Sequence, residues 1–114
     1  MSNLTLDRLK AWLADEGNFE YKREFSDGYS NPYNELQYHA IRKRFMTSNG
    51  YEISIQQSGG HYCKDETEVE MWCCPHSPLL IPYGDGTDPY AYVPLEVVAG
   101  YIDSLESLPP KEET

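Results

Sequence analysis

The chain has 114 residues, 39% hydrophobic and 13% aromatic, and a net charge of −10. That length suits one domain with one core and is short for two, while the aromatic content is too high for a disordered acidic tail. No run of about 18 apolar residues occurs, which excludes a membrane-spanning helix, and the acidity argues against direct contact with nucleic acid.

Met1-Ser2-Asn3-Leu4 carries neither a basic leader nor an apolar signal core, so the chain is expected in the cytoplasm of the cell that makes it. Three cysteines, two of them adjacent at Cys73-Cys74, fit a reducing compartment. Thr5 reads as a helix N-cap, with Leu6, Leu9, Trp12 and Leu13 at helical spacing, a Leu4–Leu9 staple, and a stop at Gly17. Asn18 to Phe25 alternates as a strand does, and the next stretch to Asn34, rich in Ser, Asp, Gly, Asn and Pro, is a loop holding Tyr29 and Tyr33.

The clearest hairpin follows. Leu36 to Thr47 leads into a turn at Ser48-Asn49-Gly50, with positive φ expected at both Asn49 and Gly50, and Tyr51 to Gln57 alternates strictly. Ser58-Gly59-Gly60 is read as a bulge in a strand that continues through Cys63, and Lys64 to Thr67 as the polar loop into a third strand from Glu68 to Cys74. Leu79-Leu80-Ile81 is a candidate edge strand and Gly84 to Pro89 a loop. Pro94 opens a second helix whose Leu95, Val98, Tyr101, Ile102 and Leu105 share one face. The expected fold is α+β: an antiparallel meander of three to four strands packed with an N-terminal and a C-terminal amphipathic helix. It forms a single domain over residues 1–108, with 109–114 as a frayed acidic end.

The charge is segregated. Residues 1–64 hold eight acids and eight bases, whereas residues 65–114 hold eleven acids against Lys111 alone. Glu66, Glu68 and Glu70 recur at period two, which puts them on one strand face at intervals of about 6.6 Å. Glu96, Asp103 and Glu106 form a second stripe of about 15 Å on the last helix. If both rows lie on one side of the fold, they could mimic a phosphate backbone. Ten tyrosines against three phenylalanines suit a recognition surface, and Tyr29, Tyr33 and Tyr90 are the candidate anchors. In Arg42-Lys43-Arg44, alternation puts Arg42 and Arg44 on one face, where Glu52 is a candidate partner across the hairpin.

His61, Cys63, Cys73, Cys74 and His76 are zinc-competent, but their spacing does not reproduce a paired knuckle. Asp85-Gly86-Thr87-Asp88 lacks the spacing and closing Glu of a calcium loop. No nucleotide loop, nucleophile elbow or dinucleotide fingerprint occurs, so no cofactor and no enzymatic activity are expected.

Ile53-Ser54-Ile55-Gln56-Gln57-Ser58, His61-Tyr62-Cys63, Thr67-Glu68-Val69-Glu70-Met71 and Tyr90-Ala91-Tyr92-Val93-Pro94-Leu95-Glu96-Val97-Val98 together resemble a group of small bacteriophage and prophage accessory proteins. The resemblance covers residues 51–103. Its members usually follow the Tyr-Cys pair with Pro-Arg, where this chain has Lys64-Asp65. The resemblance implies a phage origin. By size and charge the chain is similar to small acidic phage proteins that disarm host defences, anti-CRISPR and anti-restriction inhibitors among them. The expectation is therefore an inhibitor that binds a basic, nucleic-acid-binding surface of a host defence complex, most plainly a CRISPR effector. The two alternatives are a homo-oligomeric phage accessory or assembly protein and a small zinc-binding protein.

Overall fold

The computed structural model describes residues 3–25, 34–72 and 77–111. Helix α1 (Asn3–Ala14) buries Leu9 and Leu13, with Leu6 and Trp12 packed partly against the core. It begins earlier than the sequence suggests. Thr5 lies inside it and donates its hydroxyl to Asp103 instead of capping, and Leu4 is 81% exposed, so the expected staple does not form. The Asp15 carboxylate accepts the Gly17 amide and turns the chain through a short 3-10 segment, Glu16–Asn18.

Strands β1 (Phe19–Glu24) and β2 (Tyr38–Arg42) form a two-stranded antiparallel sheet. A separate four-stranded meander runs β3 (Phe45–Met46), β4 (Glu52–Gln56), β5 (Glu68–Trp72) and β6 (Tyr90–Pro94), and helix α2 (Leu95–Glu106) closes the chain. The α+β architecture is as the sequence implies. Val69 and Met71 of β5, Ile53 and Ile55 of β4, and Val93 of β6 form one core with Leu95, Val98, Tyr101, Ile102 and Leu105 of α2 and with Leu9 and Leu13 of α1. Each fully buried aliphatic side chain there contributes about 1.5–3 kcal/mol.

Several local expectations give way to other solutions. In the β3–β4 turn only Gly50 has positive φ (96°), and Thr47 exchanges backbone bonds with Tyr51 and Gly50, a three-residue loop in which Asn49 needs no left-handed conformation. Asn49 instead donates its side-chain amide to the carbonyls of Leu105 and Leu108 and accepts the Lys111 amide at its own carbonyl, tying the turn to the end of α2. The strand expected to run through Cys63 stops at Gln56. Gly59 leaves the ladder to donate to the Tyr38 carbonyl, where a Cβ would collide with the Phe25 ring and the Leu36 carbonyl.

Leu79-Leu80-Ile81 is not a strand. It lies in a 3-10 segment, Pro78–Tyr83, because Pro78 and Pro82 lack the donors a ladder needs and only Leu80 reaches the core. The fourth strand is Tyr90–Pro94. No helix among the described residues is long and apolar enough to cross a membrane.

Candidate functional site

Glu68 and Glu70 fall on the opposite side of β5 from Asp103 and Glu106. Because Val69 and Met71 turn into the core beneath the helices, Glu68 and Glu70 project from the other face. The α2 acids lie in the helical layer: Asp103 accepts from Thr5 Oγ1 of α1, and Glu106 pairs with Arg8 at 2.7 Å while accepting the Ser48 amide at 2.7 Å. Burial works against the Glu106 charge, but the Ser48 amide and the Arg8 guanidinium outweigh it and hold its carboxyl below the ordinary range. Asp103 and Glu106 thus staple α1, α2 and the β3–β4 turn together. A continuous phosphate-like surface made of both rows is not what the geometry provides.

Glu66 and Glu96, one from each row, are exposed and meet at the wall of a single cleft, where the Leu95 amide also donates to the Thr67 carbonyl. Glu68 and Glu70 each hold a loop amide: Lys64 N–H donates to Glu68 Oε1 and Tyr62 N–H to Glu70 Oε2, both at 2.9 Å. Glu66, Glu68, Glu70 and Glu96 have no ion-pair partner among the described residues.

The loop they hold, residues 58–64, is fixed from below by Asn34. Its buried side-chain amide donates to the carbonyls of Ser58 and His61 at 2.8 and 3.1 Å. Ser58 Oγ lies 2.7 Å from His61 Nδ1, and the His61 ring stacks on His39 at 5.6 Å. Burial lowers the His61 pKa against a smaller opposing pull from Glu70, and burial raises the Cys63 thiol. So constrained, the loop holds Tyr62 in solvent, 62% exposed.

Beside it, β6 carries a bulge in which Ala91 and Tyr92 oppose Glu70 alone. Tyr92 has φ of 56°, the one non-glycine residue at positive φ among those described, a conformation that costs a bulky residue about 1–2 kcal/mol. The Tyr92 amide donates to the Tyr62 carbonyl, and the two rings stand 6.3 Å apart, both exposed. Tyr62, Tyr92, Glu68 and Glu70 therefore make one aromatic and acidic face.

The expected tyrosine anchors fare differently. Tyr90 is 1% exposed and stacks on Trp72, so it is a core residue and not a surface anchor; Tyr29 and Tyr33 lie outside the described residues. Tyr62 and Tyr92 were not singled out from the sequence, and only their neighbouring Gly59-Gly60 and the Tyr-Ala-Tyr spacing signal them. Cys63 is buried with its thiol toward the Ser58 carbonyl, and Cys73, Cys74 and His76 lie outside the described residues. No cluster of three or more metal-ligating side chains occurs among those described.

Arg44 pairs with Glu52 at 3.2 Å across the hairpin as expected, but Arg42 does not share its surface. The strand is interrupted at Lys43 and Arg44 between β2 and β3, and Arg42 turns inward, 3% exposed, to reach the carbonyls of Gln57 and Leu13. The Gln56 side chain spans the gap, accepting the Arg42 amide and donating to its carbonyl as a neighbouring strand would. The chain matches no family model, no curated protein and no solved structure.

Proposed function

We propose that the protein is a non-enzymatic phage inhibitor that docks on a basic, nucleic-acid-binding surface of a host defence complex, a CRISPR effector being the favoured target class. The supporting observation is the face built from Tyr62, Tyr92, Glu68 and Glu70: exposed rings beside carboxylates that lack a cation among the described residues. Arginine-rich surfaces are complementary to such a face. Their guanidinium groups stack on tyrosine for about 0.5–2 kcal/mol each, while the surrounding acids steer the encounter. The backbone strain at Tyr92 fits this role, since a strained bulge is retained where it aims a side chain usefully.

The test is capture from host lysate with wild-type protein and with Tyr62→Ala, Tyr92→Gly and the Glu68→Gln/Glu70→Gln pair. Gln keeps the oxygen that accepts each loop amide, whereas reversal to Lys would also free the loop. A specific basic partner captured by the wild type and lost in all three variants supports the reading. A stable homo-oligomer that captures nothing favours the assembly-protein alternative instead.

A further inference from the structure

Between the C-terminal end of α1, strands β1 and β2, and the start of α2 lies a cleft of about 540 Å³, within the range of small-molecule sites. Its walls are apolar where Leu13, Ala14, Leu95 and Phe19 contribute, and its buried polar groups are Gln57, whose side-chain amide donates to the Glu66 and Glu68 carbonyls, and Arg42. A buried guanidinium stays charged at any ordinary pH and normally finds a carboxylate. Arg42 has no ion-pair partner among the described residues.

Its donors are used unevenly. Nη1 is held firmly by the Gln57 carbonyl, and Nη2 makes two long contacts, to Leu13 O at 3.3 Å and to the Tyr38 hydroxyl at 3.4 Å. Nε is buried and has no hydrogen-bond partner among the described residues. The under-used edge is thus Nε with Nη2, the edge that receives a carboxylate side-on through two parallel bonds. Phe19 covers one face of the guanidinium at 4.4 Å and keeps its plane fixed. Lys22, also on the wall, is already neutralised by Glu16 and Glu24 at 3.2 and 3.4 Å.

We propose that this cleft binds a small organic monocarboxylate with an apolar body, its carboxylate on the Nε/Nη2 edge of Arg42 and its body against Phe19, Leu13 and Leu95. The charge class follows from the rest of the lining. Apart from Arg42 it carries Glu16, Glu66 and Glu96 against Lys10 and Lys22, an excess of one negative charge that disfavours phosphate and other multiply charged anions more than a single carboxylate. This ligand site is separate from the Tyr62/Tyr92 face and does not depend on the inhibitor reading.

The experiment is a titration of the full chain with benzoate, benzyl alcohol and inorganic phosphate, followed by NMR at the Arg42 Nε–H resonance. Benzoate should shift that resonance saturably, with benzyl alcohol and phosphate weaker by at least about tenfold, the loss expected for one charge-assisted bidentate contact. Arg42→Lys, which keeps the charge but not the fork, should lose a similar factor. Glu66→Gln with Glu96→Gln should raise phosphate affinity severalfold. An Nε–H resonance that benzoate leaves in place, or equal response to benzoate and phosphate, overturns the proposal. Because the wild-type resonance is itself a readout, this holds even if Arg42→Lys fails to fold.

Discussion

Two rows of carboxylates, equally conspicuous in the sequence, do different work. Asp103 and Glu106 reach across to α1 and to the β3–β4 turn, and Glu106 gains both a cation and a backbone amide. Glu68 and Glu70 accept one loop amide each and have no ion-pair partner among the described residues. A carboxylate that bridges distant elements is part of the fold. One that holds a local loop and stays uncompensated is free to serve a partner as well.

The largest test of that contrast is Glu106→Ala, which should cost about 2 kcal/mol in denaturant unfolding, because it leaves the Ser48 amide and Arg8 without their shared acceptor. A change below about 0.5 kcal/mol would erase the distinction. Next is Tyr92→Gly. Relief of the positive φ should stabilise the fold by about 1 kcal/mol while weakening capture of a basic partner. If stability falls instead, the bulge is structural and not aimed outward. The Glu68→Gln/Glu70→Gln pair should change stability by less than about 0.5 kcal/mol per site, since the amide oxygens still accept the Lys64 and Tyr62 amides.

Two pH effects sharpen the same contrast. Glu106 has its pKa depressed in the folded chain, so its contribution is present above the ordinary Glu range near 4.3, is lost as pH falls through the folded value, and is absent in Glu106→Gln. His61 is a base with its folded pKa also lowered. The unfolded chain binds the proton more readily, so stability is full above about 6.5 and falls as pH drops below it. Since Glu70 supplies the pull that favours protonation, Glu70→Gln should lower the His61 pKa further, as an imidazole NMR titration would show. An unchanged titration would place Glu70 too far from the loop for the geometry described.

Periodicity carried most of the fold. The inward face of α2 and the strands β4 and β5 follow directly from residue spacing, because a single core rewards those patterns, whereas β1 is exposed along almost all its length and is held by its pairing with β2. What spacing could not convey is competition by long-range hydrogen bonds. Thr5 looks like a cap until Asp103, nearly a hundred positions away, takes its hydroxyl. Gly59 looks like a bulge until Tyr38 offers a carbonyl. Arg42 shares the parity of Ala40, and with Ala40 packed inward in β2 the guanidinium is carried inward with it. Of the candidate site, the acids were legible as rows, but the separation of Glu68 and Glu70 from Asp103 and Glu106 was not, nor the meeting of Glu66 with Glu96, since both depend on which side α2 packs.

The proposal places recognition on the Tyr62/Tyr92 face and not on Asp103 and Glu106 of α2. An amide NMR titration of the wild-type chain with an arginine-rich peptide tests it directly. Saturable shifts are expected at residues 60–63, 68–70 and 90–92, with the α1–α2 seam around Asp103 and Glu106 unmoved. Shifts centred on that seam, or spread evenly over every acidic residue, would contradict it.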